Sequence, residues 1–409
     1  MRYCTRCVYP ETSADGMTFD EKGVCSGCRV DFEKESIDWS VRKDRLKQIL
    51  EKYRSKDNSN YDCIIPISGG KDSHFQVYTI KEDLGLNPLL VTFNHTFNTR
   101  IGINNLTNLL TKFGCDHIRF TPNLQLIRKL SINSLKKMGD MCWHCHSGIY
   151  TYPVQIAVKF NIPLIIWGEI GKLDLSGMYS LHDMVEMTRK ARTEHGLRGY
   201  DASDLVNEEI GITKSDLRCF EYPSDEEIER VNVRGIYLGN YINWNAKKQA
   251  EMMIERYGFQ TAREDRTFNT YENVECHHCG GAHDWLKYLK FGYGRATDHA
   301  SLCIRQGIMT REEGIDMVKK FDGIRPRDID TYLKWAGMTE EEFEASVENM
   351  RDARAWKRTG NRWALQDHVD NHRDDPHVDE VRLPIREGEK KDFILTCKCD
   401  KFEGGYVPL

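Results

Sequence analysis

The residues best suited to chemistry lie in a loop at positions 68–73, which reads Ser-Gly-Gly-Lys-Asp-Ser. An apolar run precedes this loop and a helical pattern follows it, so Gly69 and Gly70 would let the backbone approach a ligand closely. The first amides of the helix would then face an anion, and the Lys71 ammonium would add a full positive charge. The spacing differs from that of a Walker A loop. An ordinary tight turn is the alternative, but the whole hexapeptide favours a phosphate-binding loop.

Two Cys-x-x-Cys pairs lie near the N-terminus, Cys4 with Cys7 and Cys25 with Cys28. This spacing predicts a zinc ribbon with four thiolate ligands, in which the metal replaces the core that so short a segment lacks. Free thiols in a loop are the alternative. Because a filled tetrahedron leaves no open position for chemistry, we expect a structural or partner-docking role.

A further set of cysteines is split along the chain, with Cys142 and Cys145 far from Cys276 and Cys279. Pairs this distant cannot be judged by spacing, although the fold could join them. If they converge, a zinc site and an iron–sulfur cluster held by three or four thiolates are both chemically reasonable. Reduced, buried thiols are the alternative. Four flanking histidines favour a metal without identifying it: His144, His146, His277 and His278.

Alternating strand and helix patterns position these residues. Apolar runs predict strands at 61–67, 88–94, 116–120 and 163–168, and helical patterns cover 71–83, 100–113, 124–137 and 148–160. This order predicts an α/β fold, a Rossmann-like parallel sheet with helices on both faces and ligands at the carboxyl ends of the strands. We therefore expect Asn94, Gly168 and Glu169 to border the same crevice as the phosphate loop, although Asn94 or Glu169 could instead cap a helix.

The chain divides into five predicted units. They are a zinc ribbon (1–35), a linking helix (36–56), an α/β nucleotide-binding domain (57–258) with an insertion at about 170–228, a mainly helical C-terminal region with the second late cysteine pair (259–345), and a charged extension (346–409).

Composition narrows the class of protein. The chain has 409 residues, a formal net charge of -5 and a mean hydropathy of -0.60, and no run approaches the ~18 apolar residues of a membrane span. The N-terminus carries no apolar signal segment, so we expect a cytoplasmic protein whose cysteine pairs bind metal rather than form disulfides. The acidic balance argues against a nucleic-acid partner, and the lack of a long apolar run argues against a membrane protein.

The loop at 68–73 resembles the pyrophosphate loop of the N-type ATP pyrophosphatases, the PP-loop superfamily, which split ATP into AMP and pyrophosphate to activate an oxygen. With the N-terminal cysteine pair, the Cys-Trp-His-Cys of 142–145 and the Lys-Phe-Gly-Tyr-Gly-Arg-Ala-Thr-Asp of 290–298, the chain resembles the N-acetyl sugar amidotransferase family. These bacterial enzymes act in surface-polysaccharide, O-antigen and flagellar-glycan biosynthesis, including pathways of the pseudaminic-acid type. The likeness covers roughly residues 1–345.

The resemblance implies an ATP- and Mg²⁺-dependent enzyme that turns an acetamido group of a free or nucleotide-linked sugar into an acetamidino group. The amide oxygen attacks the α-phosphate, giving an adenylated imidate and pyrophosphate, and ammonia then expels AMP. The phosphates would be held by Ser68, Gly69, Gly70, Lys71 and Ser73. Lys71, Asp72 and Ser73 would be the catalytic residues, with Asp72 fixing the loop or Mg²⁺.

The resemblance also assigns the remaining motif residues. Arg295, Asp298 and His299 would grip an acidic or nucleotide-linked sugar, although a helix cap and surface ion pair is the alternative. By analogy with the thiolation branch of the superfamily, Cys142, Cys145 and Cys276 would hold a [4Fe-4S] cluster, and Cys279 would be a fourth ligand or a spare.

No glutamine-hydrolysing signature is present, so ammonia would come from a separate glutaminase subunit, for which the zinc ribbon is one docking surface. Two rival functions remain open. One is a tRNA-thiolating or tRNA-modifying enzyme that uses the late cysteines in an iron–sulfur cluster. The other is a non-catalytic zinc-ribbon scaffold that binds nucleotide.

Overall fold

A five-stranded parallel sheet forms the centre of the α/β domain. The structure, a computed structural model, describes residues 1–360 and 362–377. The strands are β1 (Cys63–Pro66), β2 (Pro88–Phe93), β3 (His117–Phe120), β4 (Leu164–Trp167) and β5 (Arg234–Tyr237). Their order in the sheet is β3-β2-β1-β4-β5, which confirms the predicted Rossmann-like α/β fold.

The order reverses beside β1. The chain first moves outward through β2 and β3, then returns to place β4 on the other side of β1, with Ile64 paired to Leu89 and to Ile165. Ligands of open α/β sheets bind at such a reversal, outside the carboxyl ends of the strands. The phosphate loop follows β1 and Glu169 follows β4, so both segments lie at this point.

Continuous apolar runs produce these strands because both faces of the sheet are covered. On one face, Ile65 and Leu90 pack in a core that includes Leu109. On the other face, Ile64 and Ile165 pack in a second core. The four strands predicted from the sequence all occur, each within two residues of its expected bounds.

Helices surround the sheet and build the C-terminal region. They are α1 (Ser26–Ser36), α2 (Trp39–Tyr53), α3 (Lys71–Val77), α4 (Arg100–Phe113), α5 (Leu124–Met138), α6 (Trp143–Phe160), α7 (Gly171–Ser176), α8 (Arg189–Ala191), α9 (Asp225–Val231), α10 (Ala246–Tyr257), α11 (Ala282–Phe291), α12 (Arg295–Arg305), α13 (Arg311–Phe321), α14 (Asp328–Ala336) and α15 (Glu340–Ala345). A π-helical segment, Tyr78–Asp83, continues α3. Helix α6 starts five residues earlier than its pattern predicts, because the Cys142 carbonyl accepts from the amides of Cys145 and His146 and so begins the helix within the cysteine motif.

The N-terminal ribbon packs against the C-terminal region rather than standing alone. Val8 and Tyr9 share a core with Ile304 of α12 and Ile315 of α13. A hairpin of β6 (Trp356–Thr359) and β7 (Arg362–Leu365) follows α15. Residues 378–409 of the predicted charged extension lie outside the described residues. Within the described part of the chain, no helix combines the length and apolar character needed to cross a bilayer.

Candidate functional site

The loop after β1 turns at Gly69, in a backbone conformation that favours glycine. Gly69 has φ +93°, and a Cβ atom at this position would lie 2.9 Å from the Cβ of Leu106 on α4. The loop hydroxyls fix its shape: the Ser68 amide donates to Ser73 Oγ at 2.9 Å, and the Gly70 amide donates to Ser68 Oγ at 3.2 Å. Gly70 then begins α3 without a side-chain cap.

Carboxylates surround the buried ammonium of Lys71. Asp72 lies 2.5 Å from Lys71 Nζ and Glu272 lies 3.0 Å from it. Glu275 Oε1 accepts from Ser68 Oγ at 3.1 Å. The Glu169 side chain is exposed to solvent within the crevice and has protein on its sides. This partial enclosure and the Asp72 charge raise the pKa of Glu169 to about 8. Several carboxylates around one ammonium leave a surplus of negative charge that suits a hard divalent cation.

Sequence reasoning missed Glu272 and Glu275. Both belong to the segment between α10 and α11, far from the loop in sequence. The Glu275 carbonyl accepts from the Thr99 amide at 3.0 Å, which holds the segment across the start of α4. Only the adjacency of Glu275 to Cys276 could have drawn attention to it.

A cavity of about 300 Å³, the loop cavity, opens beside the phosphate loop. Gly168 and Glu169 line it, as does His95 rather than its neighbour Asn94. Asn94 instead shapes its own turn, where its Oδ1 accepts from Asn98 Nδ2 at 2.8 Å. A Cβ at Gly168 would lie 2.2 Å from Gln76 Nε2, so a larger residue there would require the end of the Gln76 side chain to shift.

The residues expected to bind substrate share a second cavity with Lys71. This middle cavity, about 180 Å³, is lined by Arg295, Asp298 and His299 together with Lys71 and Asp72. It also shares Glu169 and Glu272 with the loop cavity. The fold therefore brings the three residues of α12 to the edge of the phosphate loop.

Each member of this trio is held by buried partners. Asp298 accepts from Tyr9 Oη at 2.6 Å and from Lys287 Nζ at 2.5 Å. Arg295 donates to the Cys279 carbonyl at 3.1 Å. His299 Nδ1 lies 2.7 Å from Thr267 Oγ1, and burial followed by the Arg295 charge lowers its pKa well below the usual range. His299 is therefore a neutral ring at physiological pH.

Beyond Arg295 the crevice becomes positively charged. A basic cavity of about 230 Å³ shares Arg295 and Asp298 with the middle cavity. Its lysines and arginines are Lys172, Arg198, Lys287, Lys290 and Arg295. Burial and the nearby Arg198 charge lower the pKa of Lys290 to about 8, and its Nζ donates to the Gly139 carbonyl at 2.8 Å. The arrangement suits an anionic group on a ligand.

The four N-terminal cysteines form a buried group of metal-ligand spacing. Cys4 and Cys28 Sγ lie 4.0 Å apart, and Cys7 and Cys25 Sγ lie 3.6 Å apart. Zn–S bonds of about 2.3 Å in a tetrahedron would separate the sulfurs by about 3.8 Å. The Cys4 sulfur also accepts from the amides of Cys7 and Cys25 at 3.4 and 3.3 Å. The residues present fit a single tetrahedral ion.

The four later cysteines lie in the same region, but they are less closely grouped than the four N-terminal cysteines. Burial, the Asp140 charge and then the other three thiols raise the pKa of Cys142, so Cys145, Cys276 and Cys279 lie in its surroundings. Among the described residues, however, no three of these four sulfurs come within 4.8 Å of one another. Thiolates of an iron–sulfur cluster bind separate irons and stand farther apart than those around one zinc ion. The four later cysteines therefore do not form a compact four-thiolate group like that of the ribbon within the described residues.

Nearby histidines give this region further ligands. Asp140, Cys142 and His283 place one ligand atom each within 4.8 Å of the others, and His146 Nδ1 lies 3.2 Å from Asp140. The fully buried His144 ring lacks a hydrogen-bond partner at either nitrogen within the part of the chain that the structure describes. Sequence reasoning identified the histidines at 144 and 146 but missed Asp140 and His283.

Solved structures resemble the chain only distantly. The NMN synthetase from Francisella tularensis gives a TM-score of 0.27 at 13% identity and covers 48% of this chain and 92% of its own. The NH3-dependent NAD synthetase from Campylobacter jejuni gives the same values. The NAD+ synthetase from Burkholderia pseudomallei gives 0.26 at 9% identity, covering 58% of this chain and 96% of its own.

Sequence comparison finds one relative and one family. The uncharacterized protein MJ1599 of Methanocaldococcus jannaschii is 27% identical over 186 residues, which is 46% of this chain. The chain spans 65% of that relative's length. Residues 251–369 match the family described as LPS biosynthesis protein WbpG-like, C-terminal domain, and this range contributes Glu272, Arg295 and His299 to the crevice. Over these residues the resemblance predicted from the sequence is confirmed, as a likeness to the C-terminal domain of WbpG-like LPS biosynthesis proteins.

Proposed function

We propose that the protein is an ATP-dependent, AMP-forming amidotransferase that converts an acetamido group of a bacterial polysaccharide sugar into an acetamidino group. One observation carries this proposal: Lys71 of the phosphate loop and Arg295 and His299 of the WbpG-like domain line the same middle cavity. A group that activates an oxygen with ATP and groups that hold an acceptor therefore meet in one crevice.

The loop residues supply the activating half of the reaction. An amide carbonyl is a poor electrophile, so its oxygen must first attack the α-phosphate of ATP. Lys71 would counter the charge that grows on the departing pyrophosphate, while Ser68, Gly70 and Ser73 hold the phosphates in line. Asp72, Glu169, Glu272 and Glu275 are oxygen donors that fit Mg²⁺, which when bound would neutralise phosphate charge.

The acceptor half lies toward the basic cavity. Arg295 presents a planar fork that matches a carboxylate or phosphate, and neutral His299 can exchange one hydrogen bond with a sugar hydroxyl or amide. Lys290 and Arg198 add positive charge farther along, so an acidic or nucleotide-linked sugar suits the crevice better than a neutral one. Ammonia from a separate glutaminase would then replace AMP on the adenylated imidate.

The decisive experiment combines ATP, ammonium and a panel of acetamido sugars, free and nucleotide-linked. Mass spectrometry should show a loss of roughly one dalton as O becomes NH, together with AMP and pyrophosphate in equal amounts. The Lys71→Ala variant should lose pyrophosphate release, whereas Lys81→Ala, on the helical segment that continues α3, should retain it. Formation of ADP, or unchanged release by Lys71→Ala, would refute the mechanism. A scaffold would release nothing in either form.

The loose convergence of the late cysteines supports a second candidate, a tRNA-thiolating or tRNA-modifying enzyme. Such an enzyme would use a cluster on Cys142, Cys145 and Cys276 for sulfur delivery, and its pyrophosphate release would depend on tRNA and weaken steeply with salt. Metal analysis with an ultraviolet-visible spectrum tests the cluster. A colourless protein that contains only zinc would remove this candidate's chemical basis.

A further inference from the structure

The ribbon segment contributes its own side chains to the crevice. Asp15 forms an ion pair with Lys172 in the basic cavity, and Lys34 of α1 lies 3.1 Å from Asp174 in the middle cavity. Tyr9 donates to Asp298, as described above. The four-cysteine group therefore lies directly behind the crevice and not on a separate lobe.

The part of the crevice nearest to the ribbon is formed by residues 171–177, here called the α7 wall. Asp174 and Leu175 line the middle cavity, and Lys172 and Leu175 line the basic cavity. The wall begins two residues after Glu169, which itself lies two residues beyond the end of β4. Its position therefore sets the width of the crevice between the phosphate loop and the basic cavity.

A single guanidinium joins the thiols to this wall. Arg305 of α12, only 5% exposed, donates through Nε to Cys28 Sγ at 3.4 Å and through Nη2 to Cys25 Sγ at 3.5 Å. Its remaining nitrogen, Nη1, donates to the carbonyls of Asp174 at 2.6 Å and Leu175 at 3.0 Å. One planar fork thus binds two ligand sulfurs on one side and two wall carbonyls on the other.

The backbones of ribbon and wall touch around this arginine. Ser26 Oγ donates to the Ser176 carbonyl at 2.5 Å. A Cβ at Gly27 would lie 2.3 Å from Arg305 Nη2 and 2.6 Å from the Leu175 carbonyl oxygen, and one at Gly177 would lie 2.3 Å from the Ser26 carbonyl. Because the two backbones are packed this closely, a displacement at the cysteines would also displace the α7 wall.

We propose that Arg305 is a positioning residue, through which metal at Cys4, Cys7, Cys25 and Cys28 fixes the α7 wall and thereby the acceptor side of the crevice. Four thiolates around one divalent ion leave about two negative charges, which a buried guanidinium offsets while its fork also reaches the carbonyls. A lysine would supply the positive charge but not the planar guanidinium, so it could not contact the cysteine sulfurs and the wall carbonyls together. The statement about the acceptor rests on the proposed function, whereas the link from metal to wall does not.

Amide hydrogen exchange on the full chain tests the link without any substrate. The Gly177 amide donates to the Leu173 carbonyl within the wall, and the Leu173 amide donates to the Ile170 carbonyl just before it, so exchange of both amides reports opening of the wall. In the zinc-loaded Arg305→Lys protein we expect exchange across 171–177 to be on the order of tenfold faster than in wild type, because hydrogen bonds to a charged group are lost. Removal of the metal from wild type should have the same effect, while α4 stays protected in both cases.

Arg311 provides a matched control on the neighbouring helix. It is buried like Arg305 and donates to the ribbon carbonyls of Cys7 at 3.3 Å and Cys4 at 3.5 Å. It also donates to the His372 carbonyl. Arg311→Lys should therefore leave exchange in 171–177 unchanged. Wild-type protection of the wall in Arg305→Lys, or in metal-free wild type, would overturn the proposal. Equal loosening in both arginine variants would also overturn it.

Kinetics then separate a positioning role from a general loss of stability. With an acceptor that the enzyme converts, Arg305→Lys should raise the KM for the acceptor by on the order of tenfold and leave the KM for ATP unchanged. An unchanged acceptor KM despite a loosened wall would show that the wall does not serve the acceptor. If no acetamido sugar is converted at all, the proposed function fails, but the exchange result still decides the link between metal and wall.

Discussion

Replacing Gly69 by alanine tests whether the observed loop shape is the one that binds ATP. At φ +93° an L-residue is strained by roughly 1–2 kcal/mol. The new Cβ would also lie 2.9 Å from Leu106 Cβ and 3.1 Å from Leu106 Cα. Leu106 is 6% exposed and packed within the core under α4, so the loop must move instead. A displacement of about 1 Å at a phosphate-positioning loop lowers kcat/KM by about 100-fold.

Gly85→Ala separates the two effects. Gly85 also has a positive φ, +68°, but nothing lies within 4 Å of the position its Cβ would take. Both variants should lose stability in thermal unfolding, Gly69→Ala more because its Cβ also meets Leu106, and only Gly69→Ala should lose pyrophosphate release with ATP and acceptor. If Gly69→Ala releases pyrophosphate like wild type, or if Gly85→Ala loses release equally, the loop geometry does not govern ATP use.

Three further predictions address the metal, the ribbon contact and pH. Cys7→Ser should release the N-terminal metal, measured by elemental analysis, and lower the unfolding temperature, because the ligand set is incomplete. Tyr9→Phe should lower the free energy of unfolding by about 1–3 kcal/mol, because Asp298 loses a buried donor, and should leave ATP binding intact in calorimetry. Since burial lowers the pKa of Lys290 from 10.5 to about 8, the folded chain holds fewer protons than the unfolded chain between these values, so stability rises with pH across this window. In urea unfolding, the free energy of unfolding of wild type should rise by about 3 kcal/mol more than that of Lys290→Met between pH 8 and 10.5. Equal dependence of the two proteins on pH would contradict the placement of Lys290.

The sheet could be predicted from the sequence because its strands are buried on both faces and read as unbroken apolar runs. The loop at 68–73 could be found for a related reason, since two glycines, a lysine and two hydroxyls follow such a run at once. Both signals are local. Asn94 shows the limit of this reasoning: the strand end was correct, but a turn after Phe93 gives the cavity position to His95 and uses the Asn94 amide to hold the turn.

The acidic and basic parts of the crevice could not be read from the sequence because their members come from distant segments. The segment that carries Glu272 and Glu275 is held at the loop by the hydrogen bond from the Thr99 amide to the Glu275 carbonyl, and Arg198 reaches the crevice from the irregular insertion. A charged residue in an irregular segment has the same local pattern whether it faces water or a cavity. Only the tertiary packing of these segments distinguishes the two, such as the contact of α7 with α1 of the ribbon.

The distribution of charge along the crevice predicts which of its ligands requires Mg²⁺ for binding. Three carboxylates, Asp72, Glu272 and Glu275, contact the phosphate loop, so a bare triphosphate would meet repulsion there that a divalent cation relieves. The basic cavity is lined by five lysines and arginines and three aspartates, so its net charge favours an anion. Because Arg295 and Asp298 belong to both the middle and the basic cavity, an anionic acceptor bound there would lie next to the phosphate loop. Calorimetry should therefore show that ATP binding requires Mg²⁺ whereas an anionic acceptor binds without it, and metal-independent binding of ATP would contradict this division of the crevice.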